Sequence, residues 1–304
     1  MIYSKDFSVI IPQRNAVSTL PRLLASIPQS EKIEIIIVDN TPTPISKSDI
    51  HFDGEYTLLW SSPDRHAGGA RNVGIDNAHG KWLVFADADD FFTDDAFDMF
   101  YDNYDSDAEI VHFGMSGIYE NSGKEANRGK KYRDLIKAYL QGNCEEIDIR
   151  LQFVTPCCKM VSHDLVQRHN LYYDEIRAGN DKFFSISSGY YAKKIKVVDR
   201  VCYVATVSKG SLTRSWNYDI IKSRLYSMLH CNQFLKQQGL SSHQGSIMYI
   251  LFEAKKMNIK QQIELLKMVV RFRQNPFVGF SHWKKSLIER NKREKEEKGL
   301  MVRN

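Results

Sequence analysis

The stretch Gly80-Lys81-Trp82-Leu83-Val84-Phe85-Ala86-Asp87-Ala88-Asp89-Asp90-Phe91-Phe92 decides how the rest of the chain is read. Trp82 to Ala86 is an apolar and aromatic run, too short to cross a bilayer and apolar enough to form a strand buried on both faces. Three carboxylates follow at once. In open α/β sheets ligands lie beyond the carboxyl ends of the strands, which places Asp87, Asp89 and Asp90 where such a fold does its chemistry. Like charges this close raise one another's pKa unless a cation joins them, and a hard divalent ion with oxygen ligands is the usual partner. A metal site is the expectation. The plainer alternative is that Asp89 and Asp90 cap a helix starting near Asp94.

Working outward, Phe7 to Ile11 is a β-branched run that ends at Pro12, which cannot donate to a central ladder. Leu20, Leu23, Leu24 and Ile27 recur at helical spacing up to Pro28, and Ile33 to Val38 reads as a second strand ending in Asp39-Asn40. A strand, a helix and another strand this close together predict a βαβ unit with a parallel sheet. Tyr56 to Trp60 is a third strand. Ala67 to Ala78 opens on small residues that permit close backbone approach, with Arg71 in the first turns of the helix.

Beyond the acidic turn, Asp95 to Tyr101 reads as helix and Glu109 to Phe113 as strand, while residues 121–131 read as a mobile polar loop. Helices follow at Tyr132 to Tyr139 and Ser162 to His169. A loop carrying Asp181 then leads into an apolar helix, and Val197-Val198 and Cys202 to Val207 read as strands. Beyond residue 215 the pattern is helical only, which divides the chain into 1–214 and a helical region, 215–304.

Composition narrows the function classes. The apolar fraction of 42% and charged fraction of 26% are those of a soluble globular protein. Five cysteines form no C-x-x-C pair, and their odd number argues against a disulfide framework, so a reducing cytoplasm fits. The net charge of +5 is unevenly spread, because Lys255 to Asn304 carries 14 Lys and Arg against 5 Glu, a balance of +9 that leaves −4 for residues 1–254. There Arg271, Phe272, Arg273, Phe277, Phe280, Trp283, Lys284 and Lys285 interleave cations with aromatics, a mixture suited to peripheral contact with the inner face of the plasma membrane. The mixed-charge run Lys284 to Lys298 has no apolar period, and a solvated basic face is its plainer reading. A nucleic-acid binder accounts for the basic tail alone, and no nucleic-acid partner is expected.

In order and spacing, several of these pieces resemble family 2 glycosyltransferases of the GT-A fold: Phe7-Ser8-Val9-Ile10-Ile11-Pro12, Glu34 to Asp39, Gly69-Ala70-Arg71-Asn72-Val73-Gly74, and Asp87-Ala88-Asp89-Asp90. Cys158-Lys159-Met160, Gly179-Asn180-Asp181 and Gly210-Ser211-Leu212-Thr213 follow in family order. The resemblance implies an α/β fold with a mostly parallel sheet flanked by helices, followed by a C-terminal helical appendage. It implies an inverting, Mn²⁺- or Mg²⁺-dependent transfer from a nucleotide-sugar donor, UDP-linked, to a glycan or lipid-linked acceptor, as in bacterial surface polysaccharide synthesis. By position, Pro12 and Gln13 would border the base, Asp39 would hydrogen-bond it, and Arg71 would lie near the nucleotide. Asp87 and Ala88 would contact the ribose or donor sugar, Asp89 would hold the metal, and Asp181 would be the catalytic base. The chain departs from the family pattern at Gln13-Arg14-Asn15, Asn40-Thr41-Pro42 and Asn180. The alternatives are a catalytically inactive glycan-binding or scaffold protein on the same fold, and a sugar nucleotidyltransferase. The latter would want a glycine-rich phosphate loop after the first strand, where Gln13-Arg14-Asn15 stands.

Overall fold

The structure is a computed structural model that describes residues 3–208 and 216–279. Gly210 to Thr213, Phe280, Trp283 and the run Lys284 to Lys298 lie outside the described residues. The chain divides into two compact units, Met1–Arg214 and Ser215–Asn304.

The first unit is built on one mixed sheet of eight strands in the order β3-β2-β1-β4-β7-β6-β8-β5. One half of it is parallel: β1 (Lys5–Gln13), β2 (Ile33–Asp39), β3 (Thr57–Trp60) and β4 (Gly80–Phe85), with the β-branched runs of β1 and β2 beside the aromatic β4. Val9, Ile10, Ile11, Leu83, Val84 and Phe85 are buried, as central strands covered on both faces require. Because these strands are parallel, their carboxyl ends share one edge, and that edge carries Gln13, Asp39 and the Asp87–Asp90 turn.

Pro12 does not end its strand. The ladder to β2 continues through Pro12↔Val38 and Gln13↔Asp39, whereas pairing to β4 stops at Ile10↔Phe85. A missing N–H is tolerated where only one neighbour remains.

The other half of the sheet is less regular. β6 (Ile110–Tyr119) runs six residues beyond Phe113, with a register shift at Gly114, and pairs in parallel with β8 (Ile195–Val207), a single strand rather than two. Between β4 and β6 lies β7 (Lys159–Ser162), antiparallel to both, and β5 (Phe91–Phe92) pairs antiparallel with β8. Residues 121–131 fold back on β6 rather than standing away from it. The Ala126 N–H donates to Gly117 O at 2.8 Å, and Ile118 bridges to Glu125. Gly129 permits this return, with φ of 91° and a Cβ that would lie 2.4 Å from Met115 O.

Helices α1 (Leu20–Ala25), α2 (His66–Asp76), α3 (Ala96–Tyr101), α4 (Lys130–Leu140), α5 (Glu146–Gln152), α6 (His163–His169) and α7 (Asp181–Tyr191) belong to the first unit. An aromatic cluster of Phe7, Phe92, Phe97, Phe100 and Phe113, mostly in edge-to-face contact, fills the core beside α3. Trp82 is buried, and its indole N–H donates to Tyr104 O at 3.0 Å, so its one polar atom is satisfied.

The second unit holds α8 (Tyr218–Gln237), α9 (Met248–Ala254) and α10 (Ile259–Arg271). Asn217 and Asn258 cap α8 and α10 through their side chains, at the places where the apolar period begins. Ile221, Leu225 and Leu229 of α8 pack with Ile250 of α9 and with Leu265 and Val269 of α10 to form its core. No helix among the described residues is long and apolar enough to cross a membrane.

Candidate active site

The candidate site forms where β4 ends. Asp87 to Asp90 is a tight turn closed by the Asp90 N–H donating to Asp87 O at 3.0 Å, and the Asp87 N–H donates to the Tyr203 hydroxyl at 2.8 Å. This turn gives its three carboxylates different surroundings. Asp87 Oδ1 accepts from Arg71 Nη2 at 2.6 Å. Asp90 is buried and accepts the Thr206 N–H at 2.7 Å, and burial pushes its carboxyl well above the ordinary range, with Asp87 and Asp89 adding to the rise. Asp89 is half-buried, and its carboxyl is also raised, by burial first and then by Asp87. None of the three caps a helix: α3 begins at Ala96, after Asp95.

Arg71 ties the turn to α7. Only 5% exposed, it donates to Asp87 and, through Nη1, to Asn180 Oδ1 at 3.0 Å, and it lies over the Tyr173 ring. Burial opposes its charge, and Asp87 together with Tyr173, Cys157 and Asp181 more than offsets that, leaving the guanidinium pKa above its usual value. α2 can hold Arg71 here because its opening is small: a Cβ on Gly68 would lie 2.0 Å from Asp174 O and 3.2 Å from the Asn180 Cβ. The Ala67-Gly68-Gly69 stretch thus serves helix-to-loop packing.

Asp181 is the residue after Asn180 and the first of α7. Asn180 occupies the N-cap position with helical backbone angles and no side-chain cap bond, so Asp181 is not the cap. Burial raises the Asp181 carboxyl above the ordinary range, while Arg71 and Lys182 pull the other way.

Asp39 and Gln13 form a separate network at the ends of β2 and β1. Gln13 is fully buried and donates to Asp39 Oδ1 at 3.0 Å while its own Oε1 accepts the Ala16 N–H at 2.8 Å. Asp39, 1% exposed, also accepts from Thr41 N and Oγ1 and from Ile45 N. Four donors fill a carboxylate's capacity, so a base N–H donating to Asp39 would share an oxygen with one of them. Pro12 is buried beside Gln13, and Ala88 is buried with its carbonyl accepting from Thr19 Oγ1 at 2.9 Å.

Four contributors carry no site role in the sequence reading. Asn180 orients Arg71. Arg22 of α1 donates to Asp89 O at 2.5 Å and to Thr206 Oγ1 at 2.8 Å, bracing the turn from behind. Arg128 faces the acidic turn: crowding opposes its charge, and Asp90, Asp87 and Asp89 together raise its pKa. Lys159, 1% exposed, donates to Phe153 O at 2.9 Å and to Ser185 Oγ of α7 at 3.3 Å, and burial brings its ammonium down to about 8. Of these, only the Lys159 and Asn180 segments carried a family pattern.

Among the described residues no group of three or more His, Cys, Asp and Glu side chains is arranged to hold a metal ion. Asp89 still suits a hard cation, because it offers carboxylate oxygens whose negative charge burial, and then Asp87, disfavour. An ion bound there would complete its shell from substrate phosphates and water, as Mg²⁺ does when only one or two carboxylates reach it.

A curled mixed sheet flanked by helices, with acids and an arginine gathered at the carboxyl ends of its parallel strands, defines the GT-A type of fold. The profile of Glycosyl transferase family 2 matches residues 8–169, more than half of the chain, and the chain belongs to that family. Among curated proteins it is similar to the poly(ribitol-phosphate) beta-N-acetylglucosaminyltransferase TarS of Staphylococcus aureus (strain MW2), 22% identical over 220 residues covering 67% of this chain and 36% of TarS. It is similar also to the succinoglycan biosynthesis protein ExoO of Rhizobium meliloti (strain 1021), 22% identical over 233 residues covering 72% of this chain and 66% of ExoO. The chain therefore spans little more than a third of the length of TarS. The crystal structure of S. aureus TarS residues 1–349 with UDP-GlcNAc superposes with a TM-score of 0.60 at 17% identity, covering 88% of this chain and 81% of that one.

Proposed function

We propose that this glycosyltransferase moves a sugar from a UDP-sugar, with inversion, to a hydroxyl of a glycan or lipid-linked acceptor in the building of a bacterial surface polysaccharide. The observation that supports the reading is the Asp87–Arg71–Asn180 junction, which links the acidic turn to the residue preceding Asp181. The UDP and UDP-GlcNAc complexes of TarS support UDP as the nucleotide.

In this mechanism the base lies against Pro12 and Gln13, in a pocket whose wall Asp39 shapes by holding the loop from Thr41 to Ile45. Arg71 and Asp87 set the position of the ribose and donor sugar, with Ala88 at the turn. Asp89 would hold Mn²⁺ or Mg²⁺, whose Lewis acidity offsets the charge that gathers on the departing diphosphate. Asp181 takes the proton of the acceptor hydroxyl as that oxygen attacks the anomeric carbon from the face opposite the leaving group, and a single displacement with one base inverts the centre. A carboxylate whose pKa is raised toward the working pH is the better base for this step.

Calorimetric titration of UDP tests the donor side. Wild type should bind UDP more tightly with Mn²⁺ than without, and Asp89→Ala should lose that difference. Equal affinity with and without Mn²⁺ in both proteins would remove the metal from the site, and failure to bind UDP at all would remove the donor.

A further inference from the structure

α10 has two apolar faces, and among the described residues only one is packed. Leu265 and Val269 point into the core of the second unit. Ile259, Ile263, Leu266 and Val270 recur at helical spacing on the opposite side and are exposed, Ile259 at 73% and Val270 at 75%. At 1.5 Å per residue the stripe is about 16 Å long. A contiguous outward stripe of aliphatic residues on a helix already packed by its other face marks an interaction surface rather than scatter.

The charges beside the stripe say what it meets. Lys260, Lys267 and Arg271 flank its edge, and Ile263, Leu266, Lys267, Val270 and Arg271 line one shallow groove. The helix carries one acid, Glu264, which accepts from the Tyr218 hydroxyl and stays ionised beside Lys260 and Lys267, so the cations still outnumber it on this edge. Exposed Arg273 and Phe277 follow directly. An aliphatic strip bordered by cations complements an anionic lipid surface, where the strip enters the acyl boundary and the cations stay among the headgroups.

We infer that the outward face of α10 docks the protein on an anionic membrane surface. Each Lys or Arg near such a surface contributes a factor of about five to the partition coefficient. The contribution falls as salt shortens the Debye length.

The test is co-sedimentation of the full chain with vesicles of phosphatidylcholine, with and without phosphatidylglycerol, at low and high salt. Wild type should sediment with the phosphatidylglycerol vesicles and detach as salt rises. Ile263→Glu/Val270→Glu should lower binding by about a hundredfold, given the apolar area withdrawn. Lys260→Glu/Lys267→Glu/Arg271→Glu should lower it by a similar factor. All five positions are exposed, so circular dichroism melting should match wild type in both variants. Wild-type binding that ignores phosphatidylglycerol, or variants that bind as wild type does, would overturn the inference. So would sedimentation velocity showing a wild-type dimer that Ile263→Glu/Val270→Glu breaks into monomers, because the face would then meet a second copy.

Discussion

Removing the Asp87 carboxylate should cost stability as well as activity, whereas removing its neighbour Asp89 should cost activity alone. Arg71 is 6% exposed in its side chain and Asp87 is 30% exposed, so Asp87→Ala leaves a nearly dry guanidinium without its counter-charge. Breaking a fully buried pair from one side costs about 3–5 kcal/mol. The partial exposure of Asp87, together with the Asn180 hydrogen bond and the Tyr173 ring that Arg71 keeps, brings the expectation to about 2–4 kcal/mol. For a unit of this size that is a fall in Tm of roughly 5–15 °C. Asp89 differs, since its folded pKa lies above the ordinary value and its charge at neutral pH is a burden. Asp89→Ala should therefore melt within about 1 °C of wild type or slightly above it. Replacing both partners, Arg71→Met/Asp87→Ala, should recover most of the loss, because an apolar pair in place of a buried ion pair is close to neutral. Scanning calorimetry and urea unfolding of the three variants without nucleotide decide the matter. An Asp87→Ala protein that melts like wild type, or an Asp89→Ala protein that loses as much, would refute this division of labour.

Lys159→Met should remove a pH dependence. Burial holds the Lys159 ammonium at about 8 against 10.5, so between those values the unfolded chain binds the extra proton and wild-type stability rises with pH. Relative to Lys159→Met, wild type should gain about 2 kcal/mol between about pH 7 and about pH 9.5 in urea unfolding. Gly68→Ala should cost about 1–3 kcal/mol and weaken UDP binding, since the new methyl meets Asp174 O and the loop that carries Asn180 must move; thermal melting and calorimetry check both. Asp89 and Asp90 have raised folded pKa values, so their contribution to stability falls as pH rises above the ordinary carboxyl range. Mn²⁺ should therefore raise Tm more at neutral pH than at about pH 4.5, where protons compete for the same oxygens, and a metal effect that ignores pH would count against Asp89 as its ligand.

The parallel half of the sheet was legible because β1, β2 and β4 are short apolar runs buried on both faces, a pattern that local sequence carries. The other half was legible only in part, since the start of β6 and two pieces of β8 read as strands. β7 holds a buried lysine and β5 is two residues long, so neither shows a period, and β6 hides its last six residues behind Gly114 and Gly117. Within the site, Asp87, Asp89 and Arg71 could be read as a group from motif order, but their pairing could not. Asn180 reaches Arg71 across 109 residues, Arg22 reaches Thr206 across 184, and Arg128 arrives on a segment that reads as loop. Such contacts depend on the tertiary path of the chain, to which no local spacing testifies.

In the proposed mechanism Asp181 is the base that activates the acceptor. Asp181→Asn keeps the shape and hydrogen-bonding reach of the side chain, and because Asn180 is the N-cap residue of α7, the exchange leaves the helix start as it was. The direct measurement is turnover of a UDP-sugar by wild type and Asp181→Asn, followed as UDP release with Mn²⁺ present, alongside Tm and UDP affinity for each protein. Unchanged Tm and UDP affinity with turnover lower by about two powers of ten or more is the predicted result. An Asp181→Asn protein that releases UDP at close to the wild-type rate would contradict it.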